Sequence, residues 1–210
     1  MNLNRRHLLG ASAAGALAMT PDAARAGPLT SALGRDATQY GVRPNASEDQ
    51  TRVLQRAIDE ATRLQIPLAL PPGLYRTGTL RLSRGTQLVG VRGATKLAFT
   101  GGAAMLLAEG ADSLGLSGIT LDGGGIPLPD RRGLIHCLAG RDVRINDCEI
   151  TGSGGNGIWL EQVSGDISGN IITKTATTAI VSFDARGLIV ACNTITGTND
   201  NGIEILRTAI

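Results

Sequence analysis

Three stretches of equal length decide the fold: residues 145–158 read INDCEITGSGGNGI, residues 167–180 read ISGNIITKTATTAI and residues 190–203 read VACNTITGTNDNGI. Laid under one another, they keep a branched apolar residue at three positions. The columns are Ile145, Ile167 and Val190, then Ile150, Ile172 and Ile195, then Ile158, Ile180 and Ile203. The second block follows the first by 22 residues and the third follows the second by 23. A steady period of this size signals one supersecondary unit per repeat, too thin to bury its own apolar face and therefore stacked on its neighbours. An earlier, looser layer supplies Leu116, Leu121 and Leu134. Its extra length is the segment 123–132, which holds two prolines and reads as a loop inserted at a turn.

Each period holds three short runs separated by Gly, Asn and Asp turns, which reads as three strands per coil. Such a coil gives one strand to each of three parallel sheets, and the Ile columns become the interior, each buried Ile contributing roughly 1.5–3 kcal/mol. Leucine-rich repeats have a similar period, but their Leu-x-x-Leu-x-Leu-x-x-Asn pattern is missing. Asn170 and Asn193 share one turn position, with Cys148 one coil earlier, so side-chain amides can hydrogen-bond up that column as a ladder. Gly133, Gly157, Ala179 and Gly202 read as a column of small residues. On this alignment Leu134 points inward with Ile158, Ile135 points outward with Trp159, and His136 falls among the inward positions Leu160 and Ile205.

Residues 1–26 read as an export signal. Arg5 and Arg6 precede an apolar stretch from Leu8 to Met19, and Ala24-Arg25-Ala26 offers small residues for cleavage. That stretch is shorter than the roughly 20 residues of a spanning helix, and no Cys follows it to carry a lipid, so no stable membrane anchor is expected. Asn4-Arg5-Arg6-His7-Leu8-Leu9 resembles the twin-arginine motif, which implies a translocase partner, folding before export and a periplasmic or secreted location. An ordinary secretory signal is the other reading. Removing Arg5, Arg6, Arg25 and Asp22 takes the +2 chain to formal neutrality, which argues against a nucleic-acid partner. Aromatic residues are 2% and glycines number 29, a composition suited to thin stacked layers rather than a thick core. In an oxidising compartment Cys137, Cys148 and Cys192 are expected as free, mostly buried thiols. Two layers at ~4.8 Å each hold Cys148 and Cys192 beyond the ~7 Å reach of a disulfide.

Between signal and repeats, residues 27–46 read as a linker and opening strand, and residues 47–210 as the capped solenoid. Ser47 with Gln50 makes a capping box that predicts a helix over 47–65, with Leu54, Ala57, Ile58 and Ala61 on its apolar face. Ile66–Leu70 is a short strand, stopped by Pro71-Pro72-Gly73. Ile203–Ile210 starts a coil with none above it, so the chain is expected to be a fragment or truncated product of a longer protein.

The run from Tyr40-Gly41 through Glu48-Asp49-Gln50-Thr51 and Leu54-Gln55-Arg56-Ala57-Ile58 to Pro71-Pro72-Gly73-Leu74-Tyr75 and Leu88-Val89-Gly90 resembles the opening of pectate-lyase-like proteins. With the signal, the chain is also similar to twin-arginine-exported repeat proteins of no assigned activity. The resemblance covers about residues 36–210 and implies an all-β right-handed parallel β-helix with a capping α-helix at its N-terminal mouth. It also implies binding or processing of polysaccharide, by a lyase that would use calcium or by a glycoside hydrolase. A non-catalytic structural or adhesive role is the alternative.

The residues themselves assign no catalytic centre. The outward stripe Ile135, Trp159, Val181, Glu204 is mostly apolar. A hydrolase needs two carboxylates at a set separation across the sugar. Asp200 and Glu204 are the only candidates here, and Asp200 reads first as a turn residue closing a coil. Trp159, the single tryptophan, either stacks on a sugar or packs under the 123–132 loop. Asp184 and Arg186 either contact an acidic sugar or pair with each other. His136, the one histidine left after cleavage, reads as an interior residue rather than a base or metal ligand, so no cofactor is required.

Overall fold

A computed structural model describes residues 34–207. The chain opens with β1 (Arg35–Asp36), a single 3-10 turn at Ala37–Tyr40 and helix α1 (Thr51–Arg63). Six coils follow. The first three are β2 (Leu68–Ala69), β3 (Gly73–Thr77) and β4 (Leu80–Leu82); β5 (Gln87–Val89), β6 (Thr95–Phe99) and β7 (Leu106–Glu109); and β8 (Gly115–Ser117), β9 (Thr120–Asp122) and β10 (Gly133–Leu138). The last three are β11 (Val143–Asn146), β12 (Glu149–Thr151) and β13 (Asn156–Glu161); β14 (Gly165–Ser168), β15 (Ile171–Thr175) and β16 (Ile180–Phe183); and β17 (Leu188–Ala191), β18 (Thr194–Thr198) and β19 (Ile203–Leu206). The first strands of the coils, preceded by β1, stack as sheet A, the second as sheet B and the third as sheet C. Every pairing is parallel, which makes the molecule a right-handed parallel β-helix.

The columns appear as the repeat predicts. Ile145 stands opposite Ile167 and Ile167 opposite Val190; Ile150 opposite Ile172 and then Ile195; Ile158 opposite Ile180 and then Ile203. Downward, the sheet B column continues through Leu121 and Leu97 to Tyr75. The ladder also forms. Asn170 Oδ1 accepts the Cys148 N–H at 2.9 Å, and Asn170 Nδ2 donates to the Ile145 carbonyl at 2.7 Å. Asn193 Oδ1 in turn accepts from the N–H and Nδ2 of Asn170, and its own Nδ2 donates to the Ile167 carbonyl at 2.7 Å.

Helix α1 covers the base of the coil with Leu54, Ala57, Ile58 and Ala61, all buried. It begins four residues later than the capping box predicts. The Gln50 amide is engaged elsewhere, accepting the Arg43 N–H and donating to the Arg43 carbonyl, while Asp49 Oδ1 takes the Thr51 N–H at 2.9 Å. At the far end the inward positions of β19 are open, and Ile205 is 74% exposed. All three cysteines are free, Cys137 and Cys148 buried and Cys192 exposed. Among the described residues no helix is long and apolar enough to cross a membrane. The signal residues Arg5 and Arg6 lie outside the described span.

Two columns need correction. Ile135, not Leu134, stands opposite Ile158, and Gly133 stands opposite Asn156 rather than Gly157. The register is set where the Arg132 carbonyl accepts both the backbone N–H and Nδ2 of Asn156, at 3.1 Å each. A slip of one residue turns every side chain of a strand to the other face. Ile135 is therefore inward, and His136 moves from the interior to the outward row.

Candidate functional site on the outer face of sheet C

Sheet C presents two outward columns. The first runs Arg81, Leu107, His136, Trp159, Val181, Glu204, and the second runs Glu109, Leu138, Glu161, Phe183, Leu206. Strand alternation forces this, because Leu106, Ile135, Ile158 and Ile180 on the same strands fill the core. His136 and Trp159 lie side by side in adjacent strands, ring centroids 6.3 Å apart and planes inclined by 15°. One face of the indole is thus taken by the imidazole. Trp159 is half-buried and His136 is 4% exposed. Burial, with Arg132 adding a smaller push, lowers the His136 pKa to about 4, so the ring is neutral at neutral pH. Among the described residues the buried His136 Nδ1 and Trp159 Nε1 find no hydrogen-bond partner. Each such group costs about 1–3 kcal/mol.

Beyond the second column the chain turns from sheet C to sheet A. Ala139, Gln162 and Asp184 occupy the same corner in successive coils, each with a left-handed backbone, φ 52°, 54° and 50°. This repeated corner opens a cleft of about 760 Å³ lined by Arg141, Gln162, Ser164, Asp184, Arg186 and Arg207. Asp112 holds Arg141, accepting its backbone N–H at Oδ1 and its guanidinium at Oδ2, 3.0 Å each. The Arg141 guanidinium, in turn, keeps the Asp112 carboxyl below the ordinary range. Among the described residues Arg186 and Arg207 join no ion pair, so two guanidiniums face the cleft beside the one carboxylate of Asp184.

The residues singled out from sequence therefore fall into separate places. Trp159 and Glu204 share one outward column, two strands apart. Asp184 and Arg186 share the corner cleft. Asp200 lies exposed in the turn before β19, its carbonyl accepting from Thr198 Oγ1 at 3.2 Å. The Asp184 N–H binds the carbonyl of Leu206, at the other end of that strand, so Asp200 and the corner cleft lie at opposite ends of β19. Among the described residues no three His, Cys, Asp or Glu side chains come together as a metal centre.

A second charged surface was not singled out from sequence. On the outer face of sheet B, Lys96 pairs with Asp122, and Arg92 pairs with Asp147 and approaches Glu149 at 3.7 Å. Thr120 donates to Glu149 at 3.1 Å. Burial raises the Asp122 carboxyl, but Lys96 and the Gly124 N–H outweigh it and hold it below the ordinary range. Lys96, Thr120 and Glu149 precede Leu97, Leu121 and Ile150 by one residue, so the same columns that fix the core place them outside. These carboxylates face bases within the surface itself, which makes it a structural ladder rather than a seat for a ligand.

The right-handed β-helix region family matches residues 95–209. The chain belongs to the right-handed β-helix family. Solved structures agree with that fold across 82% of this β-helix protein. A proposed glycosyl hydrolase from Parabacteroides merdae superposes with a TM-score of 0.64 at 15% identity, over 93% of its own chain. The A-module of the Azotobacter vinelandii mannuronan C-5 epimerase AlgE6 gives 0.61 at 17% over 62% of its chain, and ORF18 of Geobacillus virus E2 gives 0.68 at 14% over 40%. At these identities the likeness concerns the fold. No curated protein matches the β-helix in sequence.

Proposed function

We propose that this β-helix protein binds an acidic polysaccharide at the corner cleft beside sheet C, as an exported periplasmic or secreted protein carried by the twin-arginine route. The observation that carries the reading is the corner cleft, where Arg186 and Arg207 meet no partner carboxylate among the described residues. Guanidinium groups bind carboxylates with charge-assisted, often bidentate bonds. Two structural neighbours are described as a proposed glycosyl hydrolase and a mannuronan epimerase, and mannuronan is a polymer of carboxylate-bearing sugars. Catalysis is not part of the proposal, because Asp200 and Glu204 do not face each other across a cleft with the arginines. A structural or adhesive role draws on the half-buried Phe183 and the exposed Leu206 of the second column.

Polygalacturonate and alginate are expected to retard the protein in affinity gels, and a neutral galactomannan is not. Replacing both Arg186 and Arg207 by Ala should weaken retention about fivefold to tenfold, two exposed ion pairs' worth. Equal retention by neutral and acidic polymers, or by the double variant and the parent, would sink the reading. Release of unsaturated products or new reducing ends would add an enzymatic role to binding.

A further inference from the structure

A cleft of about 1120 Å³ opens at the base of the β-helix, between α1 and β4. Gln55 of α1 fixes the spacing of its two walls. Gln55 Nε2 donates to the Arg81 carbonyl at 2.9 Å and Oε1 accepts the Arg81 N–H at 2.8 Å. The side-chain amide thus pairs with the free edge of β4, the last strand of sheet C on that side. Arg52 and Arg56, one helical turn apart, line the α1 wall, and Arg81 lines the β4 wall. Among the described residues Arg52 and Arg56 join no ion pair, and Arg81 stands 3.9 Å from Glu109. Asp59 also lines the cleft, its Oδ1 accepting from Gln55 Nε2 at 2.9 Å. The buried Leu82 and Leu107 supply an apolar lining.

The charges inside the cleft select its ligand. A carboxylate offers two oxygens and one charge, whereas a phosphomonoester offers three oxygens and close to two charges at neutral pH. Three guanidiniums, each able to give parallel N–H bonds, match the phosphomonoester. The cleft is far larger than one phosphoryl group and is of the size that takes a whole small molecule. What surrounds the arginines describes the rest of that molecule. The carboxylates of Asp59 and Glu109 repel a ligand charged along its length, such as a uronate chain, but accept hydrogen bonds from hydroxyl groups. Leu82 and Leu107 offer contact to an apolar ring face. We infer that the cleft between α1 and β4 binds a sugar phosphate, its phosphoryl group held by Arg52, Arg56 and Arg81 and its hydroxyls by Asp59 and Glu109. This site is separate from the corner cleft, and neither depends on the other.

Calorimetry of the full chain with glucose 1-phosphate, inorganic phosphate and glucose tests it. One glucose 1-phosphate binds per protein, at least about tenfold more tightly than inorganic phosphate, and glucose gives no heat. Arg52 and Arg56 are exposed, so replacing both by Ala leaves the fold intact while weakening glucose 1-phosphate at least about tenfold. Replacing Arg186 and Arg207 leaves this affinity at the parental value. Vesicles of phosphatidylcholine containing phosphatidylinositol 4-phosphate identify the source of the ligand. Co-sedimentation that the Arg52→Ala, Arg56→Ala variant loses supports the site with a lipid headgroup as its ligand; glucose 1-phosphate binding without co-sedimentation supports it with a free sugar phosphate. A parent that does not bind glucose 1-phosphate, that binds it no more tightly than inorganic phosphate, or that the Arg52→Ala, Arg56→Ala variant equals, overturns the inference. Polygalacturonate retention is read separately, and its absence overturns the corner cleft alone.

Discussion

Asn170→Ala is expected to lower the unfolding free energy by about 3 kcal/mol. The side chain is buried, and it is the acceptor for the Cys148 N–H and the donor to the Ile145 carbonyl. Alanine leaves that buried N–H unpaired, and a buried polar group without a partner costs about 1–3 kcal/mol. Asn193→Ala should cost less, about 1 kcal/mol, because Asn193 is half-buried and solvent can take over its bonds. Urea unfolding of the two variants checks the difference. A neutral Asn170→Ala, or equal losses at the two positions, would show that the ladder does not hold the coils together.

Gly165→Ala should be nearly as damaging, through backbone rather than side chain. Gly165 opens β14 with φ +141°, a conformation that residues with a Cβ scarcely adopt. An added Cβ would lie 2.0 Å from the Val143 carbonyl oxygen of the coil below and 2.6 Å from its nitrogen. Neither atom can give way without breaking the pairing of β11 with β14. Strain and overpacking together are expected to cost about 3 kcal/mol. Gly187, also at positive φ (69°) but exposed and with open space where its Cβ would be, is the control that carries backbone strain without the clash. If Gly165→Ala unfolds at the parental urea concentration, the close stacking of coils at this corner is wrong.

The fold was legible because the three quoted blocks are equal in length, so counting along the chain is the same as climbing the stack. Ile150, Ile172 and Ile195 could be placed with no knowledge of the turns. Counting failed where the repeat is interrupted. The 123–132 insertion separates Leu121 from the next strand, and aligning Gly133-Leu134 with Gly157-Ile158 put β10 one residue out of register. That slip hid His136 beside Trp159, which is the most distinctive side-chain contact on the face. The start of α1 was misplaced for a different reason. Ser47 and Gln50 have capping-box spacing, but the Gln50 amide is satisfied by Arg43, seven residues earlier. The corner cleft was half legible, since Asp184 and Arg186 share a turn, whereas Arg207 enters it only through stacking.

The central claim is that an acidic polysaccharide occupies the corner cleft, and Trp159, the only tryptophan in the chain, stands on β13 three residues before Gln162 of that cleft. Titrating polygalacturonate while following its fluorescence is therefore the most direct measurement. The account predicts a saturable change in emission that is absent with neutral galactomannan and lost when Arg186 and Arg207 are both replaced by Ala. Saturable binding by calorimetry with no change at Trp159 would place the polymer elsewhere and contradict the account.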